Sequence, residues 1–151
     1  MANSQAMCTS FKGEILSGVH ALGTTVIRAG TGADTLKAAL YLASSSQGAG
    51  TTAYGVSGEV SGTGYSAGGV TITNANPPTT SGTTGYWTPS ASFTYTTVTL
   101  TTAFDAVLVY NSTQSNKAIS VHTFQSQTIT AGTFTLTMPT SDSTNALLRI
   151  A

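Results

Sequence analysis

Two histidines, one cysteine and five carboxylates hold most of the reactive chemistry open to this chain of 151 residues. His20 and His122 lie far apart, and neither has a carboxylate or cysteine at ligand spacing, so no metal site is expected. His20 falls near the end of the first apolar-periodic segment, where a helix dipole would favour its cationic form. Cys8 is alone, which excludes an intrachain disulfide and a multi-cysteine zinc site. It sits on an apolar stripe and reads as a packing residue. The acids Glu14, Asp34, Glu59, Asp105 and Asp142 never cluster, so a carboxylate pair for glycoside hydrolysis could come only from folding. Asp34 and Asp142 stand in turn contexts, where Asp bonds its own backbone. Asp105 interrupts an apolar run and reads as a partner for Arg28 or Lys117, or as a strand end. No serine occupies a nucleophile elbow. Catalytic, cofactor-binding and metal-ligating residues are therefore not expected, and neither is an enzyme.

Three further patterns invite a functional reading. Gly62-x-Gly64-x-x-x-Gly68 misses the dinucleotide fingerprint by one residue and lacks the strand-then-helix context, so a structural turn is expected. Asn111-Ser-Thr113 matches a glycosylation acceptor, but without a secretory signal an ordinary turn after a strand is the expected reading. Tyr54, Tyr65, Tyr86 and Trp87 are loop-proximal aromatics that could anchor an interface or hold a sugar, since aromatic rings bury much area at small entropic cost.

The elements that would position these residues follow from composition and pattern. Charged residues are 7% of the chain, against about 25% in an average soluble domain. Thirty Thr and 18 Ser take their place, beside 16 Gly. Thr suits a pleated surface, so it can cover strands without charge. The formal net charge is zero, which argues against nucleic-acid binding. No run approaches the roughly 18 apolar residues of a membrane helix, and residues 1–7 lack the basic flank and apolar core of a secretory signal.

Met7, Phe11, Ile15, Val19 and Leu22 form one apolar stripe, widened by Cys8 and Leu16, with Lys12 and Glu14 off it. A helix over about 7–22 is expected, capped by Ser4 and stopped by Gly23, with residues 1–6 as a flexible arm. Gly30, Gly32 and Asp34 mark a turn before 36–43, whose apolar positions fit either a helix or a buried strand; Tyr41 and the short length favour the strand. Residues 74–85, with Pro77 and Pro78, read as a long surface loop. Short strands are expected at 86–88, 92–100, 104–110, 118–124, 127–130, 133–138 and 147–150. Spacing near ten residues makes 7–151 a single mainly β domain, a β-sandwich or jelly-roll-like fold with one N-terminal α-helix.

Phe11-Lys-Gly-Glu-Ile-Leu-Ser-Gly-Val-His20, Asp34-Thr-Leu-Lys-Ala-Ala-Leu-Tyr41 and Gly58-Glu-Val-Ser-Gly-Thr-Gly-Tyr-Ser-Ala-Gly-Gly69 occur in that order. Val109-Tyr-Asn111, Gly132-Thr-Phe134 and Leu147-Leu-Arg-Ile150 follow. Together they resemble small virion structural proteins of tailed bacteriophages, the capsid decoration (cement) or minor structural proteins. The likeness spans most of the chain. The Thr25–Gly30 segment and the Pro77-Pro78 loop look particular to this sequence. The resemblance implies assembly and supplies no active-site residues. The expected partners are the major capsid protein and copies of the chain itself, in a closed ring such as a trimer, without nucleic acid or membrane. The expected location is the virion's capsid surface, with the host cytoplasm before assembly. Tyr65, Trp87 and Tyr86 are the expected interface anchors, and Met1 and Asn3 belong to the tethering arm. A tail or neck component, or a receptor-binding fibre domain recognising cell-surface glycan, is the alternative.

Overall fold

The computed structural model describes residues 2–16, 18–23 and 33–151. Met1, the Gly30–Gly32 turn, the Thr25–Gly30 segment and the partnership of Arg28 lie outside the described residues, as do the side chains of Lys12, Glu14 and Leu16.

The chain is mainly β, with two antiparallel sheets. β1 (Ala6–Met7), β2 (Leu36–Leu42), β3 (Val70–Thr71), β6 (Phe93–Asn111) and β7 (Lys117–Leu136) form a five-stranded sheet in the order β1-β7-β6-β2-β3. β4 (Thr79–Ser81), β5 (Thr84–Trp87) and β8 (Leu148–Ile150) form a three-stranded sheet in the order β4-β5-β8.

The helix is much shorter than the apolar stripe suggests. α1 spans Thr9–Leu16, eight residues. Met7 belongs to β1 instead, paired with Ser120. Chain reversal comes at Gly18, whose φ of 67° suits glycine and whose N–H reaches the Ile15 carbonyl. The stop therefore lies ahead of Gly23, and Ser4 is too far from Thr9 to cap it. Gly13 and Gly18 lower helix propensity by about 1 kcal/mol each, so the stripe cannot propagate. His20 lies beyond the helix end, and the expected dipole interaction lapses with it.

The expected strands between 92 and 138 merge into one hairpin, while the one expected at 147–150 is β8 of the other sheet. β6 has 19 residues and β7 has 20, against about 5–6 for an ordinary strand. At about 3.3 Å per residue a straight hairpin would extend roughly 60 Å, beyond the roughly 40 Å expected across a domain of this length. It therefore bends. The ladder slips between Tyr95 and Val98, Val98 and Leu100, Leu100 and Phe104, and Phe104 and Ala106. Thr97 (φ 54°) and Ala131 (φ 47°) take left-handed backbone in the middle of their strands. The hairpin curls so far that Phe134, paired in the ladder with Tyr95, also packs on Phe104 at 5.1 Å and Phe124 at 5.3 Å.

The bulge at Thr97 also resets the face. Phe93 and Tyr95 are buried, and so are Val98 and Leu100, whereas strict alternation would have put Thr97 and Thr99 inward. These residues join Leu36, Leu40, Tyr41, Val107, Leu108, Ile119 and Val121 in one core. Within the expected loop at 74–85, residues 74–78 are irregular as anticipated, while Thr79–Ser81 turns back on Thr84–Tyr86 as a β-hairpin.

Candidate functional site

Two places in the fold gather groups capable of recognition. The first is a cavity of about 320 Å³ between α1 and the three-stranded sheet. Phe11 and Ile15 form one wall, and Tyr86, Trp87, Leu148 and Ile150 form the other. Ile150 is 50% exposed and stands at the rim. Trp87 is 2% exposed, and its Nε1–H is shared between Asn74 Oδ1 (3.1 Å) and the Asn76 carbonyl (3.2 Å). Asn74 Nδ2–H in turn donates to the Leu22 carbonyl. Trp87 is thus a fixed floor for the cavity, and the half-buried Tyr86 beside it offers more surface to a partner.

His20 also borders this cavity. Its ring meets Phe11 edge-on at 4.7 Å, and its Nδ1 lies 3.0 Å from Asn111 Nδ2. Asn111 Nδ2–H also donates to Asp34 Oδ2 (2.7 Å), while Asn111 Oδ1 accepts the Gln114 N–H (3.1 Å). Asp34 further accepts from the Ala21 N–H and from Gln114 Nε2. Its carboxylate thus ties distant segments together. Asn111 is fully buried with its amide engaged on both sides, which suits a turn residue and leaves no room for a glycan.

The second place is a tyrosine cluster around Glu59. Its carboxylate accepts from the Tyr54 and Tyr65 hydroxyls and the Gly68 N–H, each at 2.7 Å. Tyr65 Oη also accepts the Leu40 N–H at 3.0 Å. Tyr41, Tyr95 and Tyr110 donate to the carbonyls of Gly55, Ala38 and Gly68. Tyr54 stacks on Tyr110 at 4.7 Å, and Tyr65 on Tyr95 at 6.0 Å. Burial, reinforced by the Glu59 charge, pushes the Tyr41 and Tyr110 phenols up to about 12. The same causes, with direct hydrogen bonds to Glu59, raise Tyr54 and Tyr65 further, and burial with the Glu59 charge raises Tyr95. The cluster holds its hydroxyls neutral and clamps the Gly55–Gly69 segment onto β2 and β6. Tyr65, expected as an anchor for a partner, spends its hydroxyl inside this clamp.

Gly62 and Gly64 belong to the same clamp. A Cβ on either would run into the Thr99 or Thr97 carbonyl of β6. The Thr99 N–H donates to the Thr63 carbonyl at 2.9 Å, so this segment covers the outer side of β6. Close backbone approach is what the glycine spacing serves.

Residues 2–7 lie against the domain instead of projecting as an arm. Asn3 Nδ2 donates to the Leu42 carbonyl (3.0 Å) and to Asp105 Oδ1 (2.6 Å), and Asn3 Oδ1 accepts from Ser45 Oγ and the Gln47 N–H. Asp105 thereby has an N-terminal partner, while Lys117 sits further along the ladder at the hairpin's turn, paired with Asn111. His122 lies on β7 with Nε2 2.9 Å from Ser120 Oγ, and burial lowers its imidazole to about 4. Asp142 Oδ1 accepts the Thr144 and Asn145 N–H groups, the local turn its context suggests.

The Glu59 cluster escaped sequence reasoning because its tyrosines are scattered over 41–110. One signal was present: a lone acid in a Gly/Ser/Tyr segment needs donors from elsewhere. Among the described residues no group of three His, Cys, Asp or Glu side chains converges on a point. No described helix is long and apolar enough to cross a membrane. No protein-family model, curated protein or solved structure matches this chain.

Proposed function

We propose that the protein is a non-enzymatic structural subunit of a tailed-bacteriophage virion, a decoration protein that binds the assembled head and stabilises it. In this reading the two sheets form a β-sandwich or jelly-roll-like body. The observation that carries the proposal is the outer wall of the curled hairpin. Thr94, Thr96, Thr97, Thr101, Thr102, Thr128, Thr130, Thr133 and Thr135 are all exposed on β6 and β7, where Asp105 and Lys117 are the only ionic side chains. A hydroxyl wall without net charge can lie against neighbouring subunits with little repulsion or ion desolvation. Each contact is modest, and a symmetric shell multiplies it by presenting many sites at high effective concentration. Tyr86 and Ile150, at the apolar cavity, are the side chains that anchor the major capsid protein.

The test uses phage heads lacking the protein. Purified protein added back should sediment with the heads, decorate them in electron micrographs, and raise their resistance to heat and osmotic shock. Tyr86→Ala should weaken co-sedimentation by about tenfold, the loss expected of one aromatic anchor. Labelling confined to tails, or heads equally robust with and without the protein, overturns the reading.

A further inference from the structure

The curled hairpin has two outer edges, and the fold treats them differently. The edge belonging to β6 is covered by β2 over Phe104–Asn111 and by the glycine segment at Thr97–Thr99. The edge belonging to β7 is paired with β1 only at Ser120 and Val121, beside the Cys8 N–H to Ile119 carbonyl bond. Beyond Val121, no strand among the described residues pairs with it.

An uncovered edge exposes a row of unpaired N–H and C=O groups, and monomeric proteins guard such edges with charge, proline or a bulge. From Ala118 to Met138 this chain has no Lys, Arg, Asp, Glu or Pro. Ala131 distorts β7, but the strand beyond it is regular. Phe134–Leu136 ladders evenly with Phe93–Tyr95, and the extra residue at the next slip lies on β6, where Thr96 and Thr97 face Thr133 alone. Gly132–Leu136 is therefore a straight, uncharged strand with Thr133 and Thr135 exposed.

We propose that the β7 edge over Gly132–Leu136 pairs antiparallel with the same edge of a second copy of this chain. The lack of charge argues for that occupant. A partner strand bearing charges would find no complement on this edge, whereas self-pairing opposes no like charges. With Phe134 on the two-fold axis, Thr133 of each copy faces Thr135 of the other, and Thr–Thr pairs favour antiparallel ladders. An edge that meets itself gives a two-fold dimer, whereas a three-fold ring needs two different surfaces. The pairing is a property of the purified protein and stands apart from the virion reading.

Sedimentation velocity over a concentration series tests it. The wild type should form dimers. Thr133→Lys/Thr135→Lys and Thr133→Glu/Thr135→Glu should each weaken dimerisation by at least about tenfold, because like charges then face each other. An equimolar mixture of the two should dimerise again, a result that misfolded variants cannot give. Amide exchange of wild-type residues 132–136 should slow as concentration rises, which reads the same contact without any substitution. A wild type that stays monomeric at about 1 mM, a lysine variant that dimerises unchanged, or exchange indifferent to concentration would each overturn the proposal.

Discussion

Glu59 is one of five acids, yet it receives two phenolic hydroxyls and a backbone N–H at 2.7 Å each. Hydrogen bonds to a charged acceptor contribute about 1.5–3 kcal/mol each, and the donors left behind lose their partner when it is removed. Glu59→Ala should therefore destabilise the fold by about 3 kcal/mol, and Glu59→Gln, which keeps an acceptor, by about 1 kcal/mol. Urea unfolding of the two variants checks the order. His122 makes a second expectation at this scale. Its folded value of about 4 lies below the ordinary 6.5. Between those values the unfolded chain binds the proton that the folded chain refuses, so stability is fully present above pH 6.5 and falls as pH drops towards 4. Each pH step of one through that window can remove at most about 1.36 kcal/mol, and the imidazole keeps some contact with solvent, so the total loss should be about 2 kcal/mol. Denaturation midpoints of wild type and His122→Gln at pH 7 and pH 4 should show the variant losing less.

The elements record what local pattern can and cannot convey. The strand at Leu36–Leu42 is legible because a short run with six apolar residues around Lys37, bounded by turn signals, fits a central strand. The long hairpin is not. Thr101-Thr-Ala103 and Gln125-Ser-Gln127 interrupt the apolar alternation, and an interrupted alternation reads as the end of a strand. Neither contains glycine or proline, however, and a bulge bends a strand without ending it. The stripe from Met7 to Leu22 misleads for the opposite reason: its period is helical, but Gly18 ends the helix early and the β7 edge takes Met7. The glycine segment is structural, as its spacing suggests, but its purpose depends on where β6 runs, which spacing alone does not encode. That purpose gives a third expectation. Gly64 combines a φ of 78° with direct approach to the Thr97 carbonyl, so Gly64→Ala should cost about 3 kcal/mol or more. Amide exchange should then accelerate at Thr99, whose N–H bonds to Thr63, ahead of the β2–β6 ladder.

For the molecule as a whole, the balance of five basic against five acidic residues matters more than any one of them. Residues of either sign are thinly spread, and the hairpin wall between Ala118 and Met138 has none. A protein that found its shell through a charged patch would bind in a salt-dependent way, because ions screen exposed charges within about 8 Å at physiological ionic strength. A threonine wall and an apolar cavity offer little for salt to screen. Apolar burial is if anything strengthened by salts excluded from protein surfaces, such as sulfate. Under the proposed decoration role, binding to heads should therefore change by less than about twofold between roughly 50 mM and 500 mM sodium chloride, and should tighten in ammonium sulfate. Co-sedimentation across that series decides the point. A steep loss with sodium chloride would locate the contact on the scattered charges, away from the hydroxyl wall.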